Sequence, residues 1–244
     1  MQGLRRTESP AILLLEDGTV FKGKALGAIG TSAGEIAFNT GMYGYQEIFT
    51  DPSYHKQMLV MATAHVGNYG VHDEEGESSG VRIAGLIVRN FSTIASRPSG
   101  SGTLQDDLVK NGLVGISDVD TRALVRHIRE NGAMNSIISS EEFDLNKLKS
   151  QLSDVPSMDG LELSSEVSVV EPYDFCTEGE HKVALLDFGF KRSIAKCLEQ
   201  RGCKVRVFPW NTSSEQILAW DPDGIMLSNG PGDPSAMPTV IDEV

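Results

Sequence analysis

Basic residues are scarce in this sequence. Its 244 residues hold 21 Lys and Arg against 34 Asp and Glu, a formal net charge of −13 at pH 7. A phosphate backbone or an anionic bilayer demands clustered Lys and Arg, so no nucleic acid and no membrane are expected as partners. Cysteine is nearly absent as well. Cys176, Cys197 and Cys203 are an odd number and cannot all pair within one chain, which points to free thiols in a reducing, cytoplasmic compartment. Long apolar runs are missing: Ala11–Leu15 is the longest near the start, and Glu16-Asp17-Gly18 ends it. The two arginines of Met1–Glu8 are not followed by the apolar core and cleavage site of a signal peptide. His55, His65, His72, His127 and His181 show no ligand spacing, so no metal site is expected. No Walker loop or strand-linked Gly-x-Gly-x-x-Gly marks a nucleotide site, and no Gly-x-Cys-x-Gly elbow marks a thiol nucleophile. Cys197 is expected to pack within a helix and Cys203 to begin a strand, while acidic neighbours blunt Cys176.

What is present reads as a globular α/β chain, with 40 % apolar and 23 % charged residues and room for one large domain or two ordinary ones. The first 70 residues read as short strands between glycine turns, with a hairpin at Asp17-Gly18 and strands at Glu35–Thr40 and Met58–Thr63. Ala84–Val88 reads as a buried strand. The acidic run Asp73–Glu77 is expected to be a solvated loop, and Ser96–Gly102 a mobile connector. Helices are expected over Leu104–Asn111, over Thr121–Asn131 with Asp120 as its cap, and over Phe143–Leu152. Ser136–Ser139 reads as a returning strand. Ser153–Gly179 loses periodicity and reads as a linker or long surface excursion. Beyond it, strands at Val183–Leu186, Lys204–Phe208 and Ile225–Ser228 alternate with helices at Lys191–Arg201 and from the box Thr212–Glu215 to Trp220. This is βαβαβ, the start of a doubly wound sheet. Three strands leave apolar faces uncovered, so an open strand edge is expected.

The loop Ser228-Asn229-Gly230-Pro231-Gly232-Asp233-Pro234 follows a parallel strand, where open α/β sheets bind ligands, and its glycines let the backbone approach an anion or oxyanion. A plain chain reversal fits it equally well. Ser53, after Pro52, reads from spacing as an ordinary turn serine. Asp118-Val119-Asp120-Thr121-Arg122 is explained by a helix cap with Arg122 exposed.

Taken together these residues resemble the small chains of glutamine-hydrolysing carbamoyl-phosphate synthases. The likeness runs in order through Leu15–Thr19, Gly34–Thr40, Gly44–Ile48, Thr50-Asp51-Pro52-Ser53-Tyr54, His65–Asn68, Ile94–Ser96, Asp118–Arg122, Asp187–Arg192 and Ser228–Pro234. The resemblance implies a swivelling β/β/α domain over 1–152, a linker over 153–181, and the first βαβαβ part of a flavodoxin-like class I glutamine amidotransferase domain over 182–244. It implies that L-glutamine is bound at the domain interface, by Ser53 from the first domain and by Gly230 and Gly232 from the second, with the Gly230 N–H aimed at the oxyanion. It implies a large subunit as partner, which receives ammonia through a tunnel and carries the ATP and Mg sites, so that no cofactor belongs to this chain. It also implies that the nucleophile Cys, with its His and Glu, lies beyond Val244. Residues 1–244 are then an amino-terminal piece expected to be inactive alone. The alternative is a non-catalytic docking or regulatory module of the large subunit.

Overall fold

The computed structural model describes residues 9–244, so the expectation for Met1–Glu8 falls outside the described residues. The chain divides into two compact units. One takes the described residues up to Ile48, then Lys56–Glu75 and Ile83–Ser157. The other takes Phe49–His55, Gly76–Arg82 and Met158–Val244. No helix among the described residues is long and apolar enough to cross a membrane.

In the first unit β1 (Pro10–Leu15) and β2 (Val20–Gly27) form the expected hairpin, with Leu14 opposite Val20. The chain continues through β3 (Thr31–Asn39), α1 (Tyr45–Phe49), β4 (Met58–Met61), β5 (His65–Val66), β6 (Gly85–Ile87), β7 (Asn90–Phe91) and α2 (Leu104–Lys110). It ends with β8 (Val114–Ser117), α3 (Thr121–Asn131), β9 (Asn135–Ser139) and α4 (Leu145–Ser153). Seven strands close into a barrel in the order β1-β2-β8-β6-β4-β3-β9. Its parallel half (β3, β4, β6, β8) meets its antiparallel half along both seams. Closure leaves no unpaired edge. Both faces of β1 are used: Ala11, Leu13 and Leu15 join one core with Ile36, Val60, Ile116 and the α3 residues Leu124 and Ile128, while Ile12 and Leu14 pack on Leu148 and Leu152 of α4.

α3 runs as expected, Asp120 accepting from the Ala123 N–H at 3.1 Å. α4 starts two residues later than expected, because Asp144 caps it by accepting from the Asn146 N–H at 2.9 Å and leaves Phe143 outside and exposed. The Ser96–Gly102 connector is tied down, against expectation. Arg97 grips Glu75 with two bonds of 2.7 and 3.1 Å and lies over the Tyr69 ring. Tyr69 stacks on Tyr45 at 4.1 Å, and its hydroxyl accepts from the Gly44 N–H.

The second unit adds α5 (Ser164–Val167), β10 (Tyr173–Cys176), β11 (His181–Asp187), α6 (Arg192–Glu199) and β12 (Cys203–Pro209), then α7 (Ser214–Leu218), β13 (Gly224–Leu227) and α8 (Pro238–Glu243). Its sheet has the order β10-β12-β11-β13, with β10 antiparallel and the others parallel. The stretch 153–181 is therefore not a plain linker. It supplies an edge strand, in which Phe175 turns to the core with Val205 and Val207 while Asp174 turns out to a two-bond pair with Arg206. The strand is four residues long, is exposed at Tyr173 and Asp174 and half-buried at Phe175 and Cys176, and shifts register between Asp174 and Cys176, so its sequence lacks a clean period-2 pattern. The acidic run is also more than solvated, since Glu77 caps α6 by accepting from the Ser193 N–H at 2.9 Å. α7 is capped by Ser213 rather than Thr212. Cys197 is exposed rather than packed, because Ala195, two residues before it, takes the buried face of α6. β11 is buried on both faces. β13 is not: Ile225 and Leu227 are 52 % and 43 % exposed, along an apolar cleft of about 560 Å³ shared with Trp210, Ile217 and Val240. The expected uncovered face is present.

Candidate functional site

Ser53 lies in a single 3-10 turn, Pro52–Tyr54. The proline fixes the turn's entry, and the Asp51 carboxylate caps it by accepting from the Ser53 N–H at 2.9 Å. The turn belongs to the second unit, together with Gly230 and Gly232. Ser53 thus lies within residues 1–152 of the sequence but groups with the second unit. All three sequence-derived residues sit in one compact body.

The connection is direct. Asn229 donates from Nδ2 to the Ser53 hydroxyl at 2.7 Å and to the Gly189 carbonyl at 3.0 Å, and its Oδ1 accepts from the Lys191 N–H at 3.2 Å. The Lys191 ammonium donates to the second oxygen of Asp51 at 2.7 Å. Burial acts to lower the pKa of Lys191, but the Asp51 hydrogen bond and charge, helped by Glu77 and Tyr54, outweigh it and hold the pKa above the ordinary lysine range.

Two glycines shape the loop after β13. A Cβ on Gly230 would fall 2.2 Å from the Phe188 carbonyl oxygen, so only glycine lets the loop press against the end of β11. Its own N–H is taken by no acceptor among the described residues. Gly232 has φ of +81°, and a Cβ there would meet the Leu161 carbonyl at 2.4 Å. The segment 160–163, within the stretch read as linker, clasps this loop. The Asp233 N–H donates to the Leu161 carbonyl, and the Asp233 carboxylate accepts from the Gly160 N–H, each at 2.9 Å. A cavity of about 320 Å³ opens on the loop, lined by Ser164, Phe188, Ser228, Gly230, Gly232 and Met237 among others. That is at the lower end of small-molecule sites, roughly 300–1,000 Å³.

The structure brings in Asp51, Asn229 and Lys191, which spacing did not single out. Each stands inside a motif already noticed, but their pairing across the chain is a tertiary fact. None of the three cysteines lines the cavity. Gly76-Glu77-Ser78-Ser79-Gly80 spells Gly-x-Ser-x-Gly, yet it lacks the strand-turn-helix setting of a nucleophile elbow. Ser78 there donates to the Thr50 carbonyl and accepts from Arg82, a structural role.

Comparison with known proteins finds two family matches: residues 13–138 match the carbamoyl-phosphate synthase small chain, CPSase domain, and residues 184–244 match the class-I glutamine amidotransferase family. Among curated relatives, the carbamoyl phosphate synthase small chain of Thioalkalivibrio sulfidiphilus is 44 % identical over 241 residues, covering 93 % of this chain and 63 % of the relative. That of Streptomyces coelicolor is 43 % identical, covering 96 % and 62 %. That of Escherichia coli is 42 % identical, covering 92 % and 63 %. The chain thus spans somewhat under two thirds of the length of these relatives.

Proposed function

Because the chain belongs to the carbamoyl-phosphate synthase small-chain family, we propose that it forms the glutamine-binding part of a glutamine-dependent carbamoyl-phosphate synthase, with Ser53, Gly230 and Gly232 holding L-glutamine. The strand order β12-β11-β13 is second-first-third along the chain. It supports reading the second unit as the opening of a flavodoxin-like amidotransferase sheet, with its ligand at the carboxyl ends of the strands.

The contacts of these residues support the roles proposed for them. Asn229 donates to the Ser53 oxygen, so the Ser53 hydroxyl keeps its proton to give to substrate. The uncommitted Gly230 N–H serves the oxyanion, and Gly232 brings backbone close to the ligand. The reaction needs a cysteine thiolate that attacks the side-chain amide carbon. The C–N bond breaks, ammonia leaves with a proton, and water then cleaves the thioester to glutamate and free thiol. Residues 1–244 supply binding and oxyanion stabilisation but not that thiol, and are proposed to be inactive alone as a glutaminase. The ammonia passes to a large subunit, where ATP and Mg act on bicarbonate, and the carbamoyl phosphate formed serves arginine and pyrimidine synthesis in the cytoplasm. This chain needs no cofactor of its own.

The observation that carries the reading is the Asn229–Ser53 hydrogen bond, which joins the glycine loop to a serine 176 residues away. The test is a titration of the chain with L-glutamine, followed by backbone amide NMR. Shifts at residues 51–54 and 229–232, lost or weakened about tenfold in Ser53→Ala, are expected without ammonia release. Unmoved resonances overturn the binding assignment, and released ammonia overturns the assignment of the nucleophile.

A further inference from the structure

Asp51 is 4 % exposed, and both of its carboxylate oxygens are committed. One accepts from the Ser53 N–H at 2.9 Å and lies 3.4 Å from Asn229 Nδ2; the other accepts from the Lys191 ammonium at 2.7 Å. Capping a short turn uses one oxygen, and an uncharged Asn, Ser or Thr does it as well. The second oxygen, buried and ionic, goes beyond that requirement. It holds a lysine whose own backbone N–H is bound to Asn229, the residue that orients the Ser53 hydroxyl. One buried charge therefore fixes the backbone of Ser53, the cation beside it and, through Lys191, the amide that aims the hydroxyl.

We propose that Asp51 is a positioning residue for glutamine: it never touches the ligand, but its charge holds Ser53, Asn229 and Lys191 in the one arrangement that binds it. This rests on the assignment of Ser53 to the glutamine site. It differs from a stability role in that its effect must pass through Ser53. A charge acting only on the fold shifts melting and leaves the Ser53 contribution intact.

The experiment is a double-mutant cycle on the 244-residue chain. L-glutamine dissociation constants are measured by NMR titration for wild type, Ser53→Ala, Asp51→Asn and the double variant. Asp51→Asn keeps shape and cap while removing the charge. Expected is about tenfold weaker binding for either single variant, and a double variant no more than about threefold weaker than Ser53→Ala, because both changes remove one arrangement. Wild-type affinity in a folded Asp51→Asn chain, or strictly multiplicative losses in the double variant, overturns the proposal and leaves the glutamine site standing. Absence of binding to wild type, or unweakened binding in Ser53→Ala, overturns the site itself. If Asp51→Asn does not fold, ¹³C-lysine spectra of the wild type decide: the Lys191 side-chain resonance shifts on adding glutamine, and an unmoved resonance counts against the arrangement.

Discussion

Glu75 shows how much a single side chain carries in this chain. The Arg97 hydrogen bond holds its carboxyl below the ordinary glutamate range, against partial burial. A lowered folded-state pKa means a stabilising contribution that is complete above the unfolded value, about 4.3, and is lost as pH falls through the folded one. Glu75→Gln is therefore expected to lower stability at pH 7, where the contribution is complete, and to converge on wild type in acid, so that its stability curve falls less steeply below about pH 4.5. Unfolding midpoints across pH 3–7 measure this, and parallel curves for the two proteins would reject it. Sequence reading saw Glu75 only as one charge in a solvated run, because Arg97 lies 22 residues away and nothing local pairs them. Ser53 is the reverse case. Spacing made it an ordinary turn serine, and only the family pattern raised it. The structure then supplied the partner, Asn229, that gives the hydroxyl a direction.

Among the elements, the strongly patterned ones were legible. Val183–Leu186 reads as a strand buried on both faces, and β11 is one. Asp120 and Gly132 bracket α3 where the cap chemistry places them. Short, tertiary-stabilised pieces were not legible, namely β10, α5 and the clasp at 160–163, because their residues take their structure from what they pack against. The clasp carries a prediction. Gly232→Ala must either force a left-handed backbone on alanine or push the Leu161 carbonyl away. The cost is expected to be about 1–3 kcal/mol, the range for strained backbone positions. Denaturant unfolding should show it, together with loss of the NMR shifts at 229–232 expected of the proposed glutamine site. An alanine variant as stable as wild type would mean that the clasp yields freely.

For the whole molecule, a formal charge of −13 on 244 residues sets a self-repulsion that the fold must overcome. Raising ionic strength from about 0.01 M to about 0.15 M cuts the screening length from roughly 30 to 8 Å and should raise the melting temperature. A melting temperature that is flat or falling over that range would show that the paired carboxylates dominate instead. The composition made this excess of acid plain. It gave no sign that the polypeptide is interleaved, with Phe49–His55 and Gly76–Arg82 drawn from the sequence of one unit into the body of the other. That interleaving governs how the gene can be cut. A seam placed after residue 157 looks natural on paper, yet it strands the serine, its carboxylate and the α6 cap on the wrong side. An amidotransferase half excised there would carry the glycine loop and nothing to aim it at. Any fusion meant to keep the Ser53–Asn229 pair has to take both stretches of text together.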